Sequence, residues 1–421
     1  MFSLKSKFSR NVLVLSIGTA FSQMIPFIAL PILQKYFYGP SDFAMLASFV
    51  YFSEMIGVIS TLKLEYAVGR QQTPREAREL VVAGLRVVGI VTTFSLVLAF
   101  VCYQLDVIHG LYQLREAIFL LPVVVFCMGS IQLTTYWFNA RQEFSQLATN
   151  KVIQTTTGES IKLLNGYLGV SFVGLIGARV VGMLLVASMQ WRLFWRQSVG
   201  LERRNFSLWS VLKSNKSYVL FATPSVFVGA FINFLFLELF LTYYGSVSAG
   251  LISVSMTYVG AGLGVMASSI SQVYYGTIAQ IHRRSEMLRL YIRFLWRLLA
   301  LSAAMTLVFW VFPESWVVGV LGGEWNEMIA YCRVISVWLG VWFVSSSLSF
   351  IYMHLQRQRA MLIFDVLHIL LVYVGFHVGR LWGGDDLSAL WGFTLAQVVS
   401  YAVAIGLAVH FIRNSDLLSD S

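Results

Sequence analysis

The stretch LVVAGLRVVGIVTTFSLVLAFVCYQL, Leu80 to Leu105, runs for 26 residues with one charge, Arg86. A bilayer core of roughly 30 Å takes about 20 predominantly apolar residues per helical crossing. Backbone groups in lipid must be satisfied inside a helix or a closed barrel, and an unbroken apolar run excludes the alternating pattern of a barrel strand. Outward from this stretch, comparable runs recur from Val12 to Phe411 with almost no soluble sequence between them. They predict twelve crossings, at about 11–34, 43–68, 80–105, 116–138, 152–170, 172–195, 217–242, 247–275, 289–312, 325–352, 361–382 and 387–411. The fold class expected is an all-α polytopic membrane protein, with about twelve transmembrane helices in two six-helix lobes. Composition agrees, with 57% hydrophobic and 12% charged residues and a mean hydropathy of +0.72. The first run is too long and too proline-rich for a cleaved signal peptide.

A net charge of +10 invites a nucleic-acid reading, but its distribution gives another. Lys5, Lys7 and Arg10 precede the first crossing; Arg70, Arg75 and Arg78 follow the second, and Arg141 and Lys151 the fourth. Arg192, Arg196, Arg203, Arg204, Lys213 and Lys216 surround the end of the sixth. Arg283, Arg284 and Arg289 follow the eighth, Arg357 and Arg359 the tenth, and Arg413 the last. The alternate loops hold little more than Lys35, Arg115 and Arg380, beside Asp42, Asp106, Glu314, Glu324, Asp385 and Asp386. Positive-inside topology accounts for the excess and places both termini in the cytoplasm. No nucleic-acid partner is implied. Cys102, Cys127 and Cys332 lack metal spacing, so neither a disulfide framework nor a metal site is expected. Tyr36-Phe37-Tyr38, Trp137-Phe138, Tyr243-Tyr244 and Tyr274-Tyr275 read as the interfacial aromatic belt. With no P-loop, ATP hydrolysis by this chain is not expected, nor is any cofactor.

The chain carries an internal echo. Tyr38-Gly39-Pro-Ser-Asp-Phe-Ala-Met-Leu enters the second crossing, and Tyr244-Gly245-Ser-Val-Ser-Ala-Gly-Leu-Ile enters the eighth. Turn residues alone also produce such matches. Six crossings per half is even, so the halves would be parallel repeats with a substrate path between them. The lobes expected are residues 1–196 and 217–421, joined by a basic linker, 197–216, whose Phe206, Leu208, Trp209 and Leu212 form an amphipathic patch for the membrane interface. Pro26 and Pro31, Pro122 and Pro224 are expected to break the first, fourth and seventh crossings.

Ionisable residues at membrane depth are costly and usually face a cavity or a partner. The second crossing carries Glu54, Lys63 and Glu65. In the fifth, Thr155, Glu159 and Lys162 stand at i, i+4 and i+7, one helical face that Thr156, Ser160 and Asn165 broaden. Arg86, Arg179, Glu238, Arg333, Asp365, His368 and His377 are scattered elsewhere. Plain readings exist for several. Lys63 and Arg86 lie near boundaries and can snorkel to headgroups; Glu159 and Lys162 can pair with each other; His368 and His377 read as hydrogen-bonded packing residues.

At these residues a resemblance appears. Gly18-Thr19-Ala20-Phe21-Ser22-Gln23, Pro31-Ile32-Leu33, Tyr38 to Phe43 and Thr61-Leu-Lys-Leu-Glu-Tyr-Ala-Val68 resemble the O-antigen and capsule polysaccharide flippases, of Wzx type, of bacterial inner membranes. The last is similar to that family's Thr-Leu-Arg-Leu-Glu-Tyr-Ala-Ile. Ala249 to Ser253 and Ser269 to Tyr274 add to the likeness. The resemblance implies the fold of the multidrug/oligosaccharidyl-lipid/polysaccharide exporter superfamily. It implies movement of an undecaprenyl-diphosphate-linked oligosaccharide to the periplasmic leaflet for O-antigen or capsule assembly, a transporter and not an enzyme. A polysaccharide polymerase and a chain-length regulator are the partners it brings with it. Lys63 and Glu65 fall where the family has its basic residue and Glu; the charges of later helices match no family pattern.

The chemistry of that substrate suits the inventory. A diphosphate leaving water needs cationic compensation, for which Lys63, Arg86, Lys162, Arg179 and Arg333 are candidates. Thr155, Thr156, Ser160, Asn165, Gln132 and Gln272 can hydrogen-bond sugars. Glu65, Glu159 and Asp365 are the candidates for coupling to a proton or sodium gradient. The nearest rival is an exporter of amphipathic cations from the same superfamily, whose pocket should be acidic and aromatic. A polymerase is the other, and it should carry a large periplasmic loop where this chain has loops of about a dozen residues.

Overall fold

The computed structural model describes residues 2–71, 73–106, 108–200, 207–278, 281, 283–355 and 357–415, with the backbone alone at 2–17, 272, 358 and 359. In chain order the helices are α1 (Phe2–Tyr36), α2 (Pro40–Gly57), α3 (Glu65–Val68), α4 (Pro74–Gln104), α5 (His109–Gln113), α6 (Leu121–Ala140), α7 (Phe144–Tyr167) and α8 (Phe172–Gln197). They continue as α9 (Leu208–Ser214), α10 (Thr223–Ile278), α11 (Arg284–Val311), α12 (Glu314–Leu321), α13 (Met328–Leu348), α14 (Phe350–His354), α15 (Gln358–Gly383) and α16 (Asp386–Arg413). Among the described residues, eight segments are long and apolar enough to cross a membrane. One of them, Tyr218–Ile278, contains 61 residues and turns at Gly245, where φ is +85°, a conformation open to glycine at little cost. It therefore covers the seventh and eighth expected crossings, and α1, α2 and α7 lie where the first, second and fifth are expected.

The prolines act in two ways. Pro26 and Pro31 lie inside α1, which runs on as one element. Pro122 follows a 3-10 segment, Arg115–Leu120, and Pro224 a π-helical one, Tyr218–Ala222. Both mark a change of helical pitch inside a continuous helical run, where the missing N–H interrupts the ladder. In the linker, α9 carries Leu208, Trp209 and Leu212, with Trp209 exposed; Phe206 lies outside the described residues.

Residues Met1–Ser246 form one compact unit and Val247–Ser421 another. In the first, α1 packs on α7, α4 on α6, α6 on α8, and α7 on α8. Trp137, Phe138, Phe194, Leu133, Val81 and Val88 make its tight core. In the second, α11 packs on α13, α13 on α16, and α15 on α16. Counted by crossing, the three pairs of the second unit repeat three of the first: third on fourth, fourth on sixth, fifth on sixth. Lipid offers no hydrophobic gain between helices, so small residues set the approach. A Cβ on Gly182 of α8 would lie 2.9 Å from the carbonyl oxygen of Gln154 on α7. A Cβ on Gly379 of α15 would lie 2.4 Å from Ser388 O of α16, and one on Gly392 2.2 Å from Gly375 O.

The echo has a structural counterpart too. Asp42 and Ser248 each stand four residues after the tyrosine that opens the repeated stretch. Asp42 Oδ1 accepts the N–H of Phe172, first residue of α8, at 3.0 Å. Ser248 donates its hydroxyl to Asp386, first residue of α16, which also accepts from Tyr331. The same position in each half thus ties its second crossing to the opening turn of its sixth. The packing boundary at Ser246 falls later than the linker because the seventh crossing is held by the first unit. Ser41 and Ser246 share a hydrogen bond of 2.9 Å, Phe52 and Phe234 rings lie 5.3 Å apart, and Glu238 accepts the Gly110 N–H at 2.8 Å.

Candidate functional site

The second crossing is broken at its end. After Gly57 the chain turns through residues 58–64 before α3 resumes at Glu65, and both Leu62 (φ +49°) and Lys63 (φ +57°) are left-handed. That conformation costs a non-glycine residue roughly 1–2 kcal/mol, so the surroundings must hold it. Thr61 does much of this. Its hydroxyl accepts the Lys63 N–H at 3.3 Å and donates to Glu65 Oε2 at 2.5 Å. Lys63 Nζ sits 3.4 Å from Glu65 Oε1, both side chains almost fully buried at 5% and 1% exposure. The ammonium lies 5.5 Å from the centre of the Tyr66 ring, which touches Tyr136 and Tyr218. Lys63 therefore does not snorkel; it is locked into protein.

A second cluster forms where α2, α7 and α8 meet. A cavity of about 190 Å³ is lined by Leu46, Val50, Gln154, Thr155, Gly158, Glu159, Lys162 and Arg179. The i, i+4, i+7 stripe read from sequence thus converges on one space. Lys162 Nζ meets Glu159 Oε1 at 2.6 Å, and Arg179 meets Glu54 Oε1 of α2 at 3.0 Å. Both cations are balanced by carboxylates, so the cavity is neutral overall, unlike the cationic one that counting Lys and Arg suggested. Glu54 carries no role in the sequence reading beyond its place at membrane depth; an intramembrane carboxylate on an apolar helix requires a partner, and the fold supplies Arg179. A larger hollow of about 460 Å³ in the same unit is lined by Asp42, Asp106, His109 and Arg115 among others.

Other candidates lie elsewhere. Asn165 donates to Gly174 O at 2.9 Å and holds the turn between α7 and α8. Arg86 is exposed on α4. Arg333 pairs with Glu314 at 2.7 Å in the second unit. Asp365 is half-buried on α15, one turn before His368, which shares a hydrogen bond of 2.6 Å with Gln397 and is buried as a packing residue. The Gln272 side chain lies outside the described residues. No cluster of metal-ligating side chains occurs among the described residues.

A family model described as "Polysaccharide biosynthesis protein" matches residues 37–330. No curated protein matches the sequence. Among solved structures, an inward-facing multidrug resistance MATE family transporter of the MOP superfamily aligns with a TM-score of 0.74 at 13% identity, covering 94% of this chain and 96% of that one. The lipid II flippase MurJ in an inward closed conformation gives 0.68 at 11% identity, with 94% and 87% covered. A MOP superfamily transporter from Pyrococcus furiosus, whose binding pocket is described as of reverse polarity, gives 0.64 at 13% identity, with 97% and 96% covered. At these identities the likeness is one of fold.

Proposed function

From the premise that this chain belongs to the polysaccharide biosynthesis protein family, we propose that it is a flippase for undecaprenyl-diphosphate-linked oligosaccharide. It carries the head group from the cytoplasmic to the periplasmic leaflet of a bacterial inner membrane, for O-antigen or capsule assembly. The observation that carries this reading is the cavity on α7. It sets an ammonium and a guanidinium, Lys162 and Arg179, beside the hydroxyl-bearing Thr155. A diphosphate that leaves water needs charge-assisted hydrogen bonds in exchange. Guanidinium suits it through its fork of donors, and ammonium through its compact charge. The prenyl tail stays in lipid throughout. Both termini lie in the cytoplasm, and alternating access moves the head group. Glu65, Glu159 and Asp365 are the candidates for coupling to an ion gradient.

The experiment is deletion of the gene followed by complementation. Cells lacking it, or carrying Lys162→Ala with Arg179→Ala, are expected to accumulate lipid-linked repeat units on the cytoplasmic side and to lose surface polymer. Single units still reaching the surface would mean a polymerase. Unchanged glycans with altered drug tolerance would mean an exporter of cations.

A further inference from the structure

Each cation of the α7 cavity already holds a carboxylate at the distance a phosphate oxygen would take, 2.6 Å for Lys162–Glu159 and 3.0 Å for Arg179–Glu54. We propose that Glu54 and Glu159 are internal counter-charges that stand in for the substrate's two phosphates while the cavity is empty, and are needed for the empty carrier to return. The proposal rests on the diphosphate reading above. A carrier of an anion must complete half of every cycle without its substrate. With cations alone, the unloaded cavity would carry two uncompensated charges through a low-dielectric conformation, which is strongly disfavoured. With the two glutamates, the unloaded cavity is neutral and can close.

Exposure separates the Glu54–Arg179 pair from the Lys63–Glu65 pair, with Lys162–Glu159 between them at 19% and 10%. Glu54 and Arg179 are 40% and 31% exposed, so the Glu54 carboxylate has somewhere to go when displaced. Glu159 lines the cavity beside Lys162, three residues along the same helix, so a displaced carboxylate has the cavity itself to turn into. The Lys63–Glu65 pair is sealed, is gripped by Thr61, and cannot exchange. Two displaced carboxylates also select for charge. A diphosphate replaces both at once, whereas a monophosphate leaves one cation still occupied by glutamate.

Purified protein and its Glu54→Gln and Glu159→Gln variants test this, with farnesyl diphosphate as the binding probe. Removing an internal competitor raises the fraction of binding-competent protein, so each variant should bind farnesyl diphosphate roughly tenfold more tightly. In liposomes, one-sided movement of the labelled lipid-linked oligosaccharide should fall about tenfold, because the unloaded return is slowed. Exchange with unlabelled substrate on both leaflets needs no unloaded return and should fall much less than one-sided movement. Glu159→Asp keeps the charge and should restore one-sided movement. Variants that bind no more tightly, or lose exchange together with one-sided movement, overturn the counter-charge role. Wild-type protein that fails to bind farnesyl diphosphate overturns the diphosphate reading itself. Should Glu54→Gln disturb the tie between α2 and α8, Glu159→Gln carries the test alone, because its pair lies within one helix.

Discussion

Lys63 and Glu65 show how little a sequence reveals of a residue's setting. Their positions were evident from the Thr61-Leu-Lys-Leu-Glu-Tyr likeness, but the left-handed turn that buries them was not, because nothing in Leu62 or Lys63 favours φ above zero. Breaking such a pair leaves an uncompensated charge. Glu65→Ala should lower stability by about 3–5 kcal/mol, while Lys63→Met with Glu65→Leu should recover most of it, as read by thermal unfolding in detergent. Equal losses in the single and double variants would contradict the buried pair. Asp385 makes a plainer case. It caps α16, accepting the Ser388 N–H at 2.9 Å, and Ser388's hydroxyl and N–H hold its carboxyl below the ordinary 3.8. A depressed carboxylate stabilises the fold above its unfolded pKa and loses that effect as pH falls through the folded value. Asp385→Ala should therefore cost about 1 kcal/mol at pH 7, and nothing once the pH is low enough to protonate Asp385 in the folded protein.

At the scale of elements, glycine and pitch decide the packing. Gly375 and Gly379 of α15 face Gly392 and Ser388 of α16 with backbones in contact. Gly379→Val should push the helices apart and cost at least about 1–3 kcal/mol, measured by melting of the solubilised protein; an unchanged melting temperature would contradict this seam. The spacing of those glycines was on the page of the sequence, yet a glycine at a seam and a glycine in a loop look alike without the partner helix. Helix number and rough limits were legible for a different reason. Apolar length is set by the bilayer, and a run such as Leu80 to Leu105 admits one reading. The break at residues 58–64 was not legible, since Ser60, Thr61 and Lys63 read equally well as the polar end of a continuous helix.

Across the whole molecule, the repeated pairs and the matching anchors at Asp42 and Ser248 explain why a short echo in turn residues reflected the architecture. What the sequence left open was charge. Six crossings per half could be counted, but pairing of Lys162 with Glu159 and of Arg179 with Glu54 depends on which helices meet. Movement of the intact substrate decides whether the chain is a flippase. The direct measurement reconstitutes the purified chain in liposomes carrying a labelled undecaprenyl-diphosphate oligosaccharide and follows its exposure to a membrane-impermeant sugar oxidant. The account predicts that sugar sheltered in the inner leaflet becomes accessible at a rate that rises with protein and is lost in Lys162→Ala with Arg179→Ala. Sheltered sugar that stays sheltered, at the rate of protein-free liposomes, would contradict it.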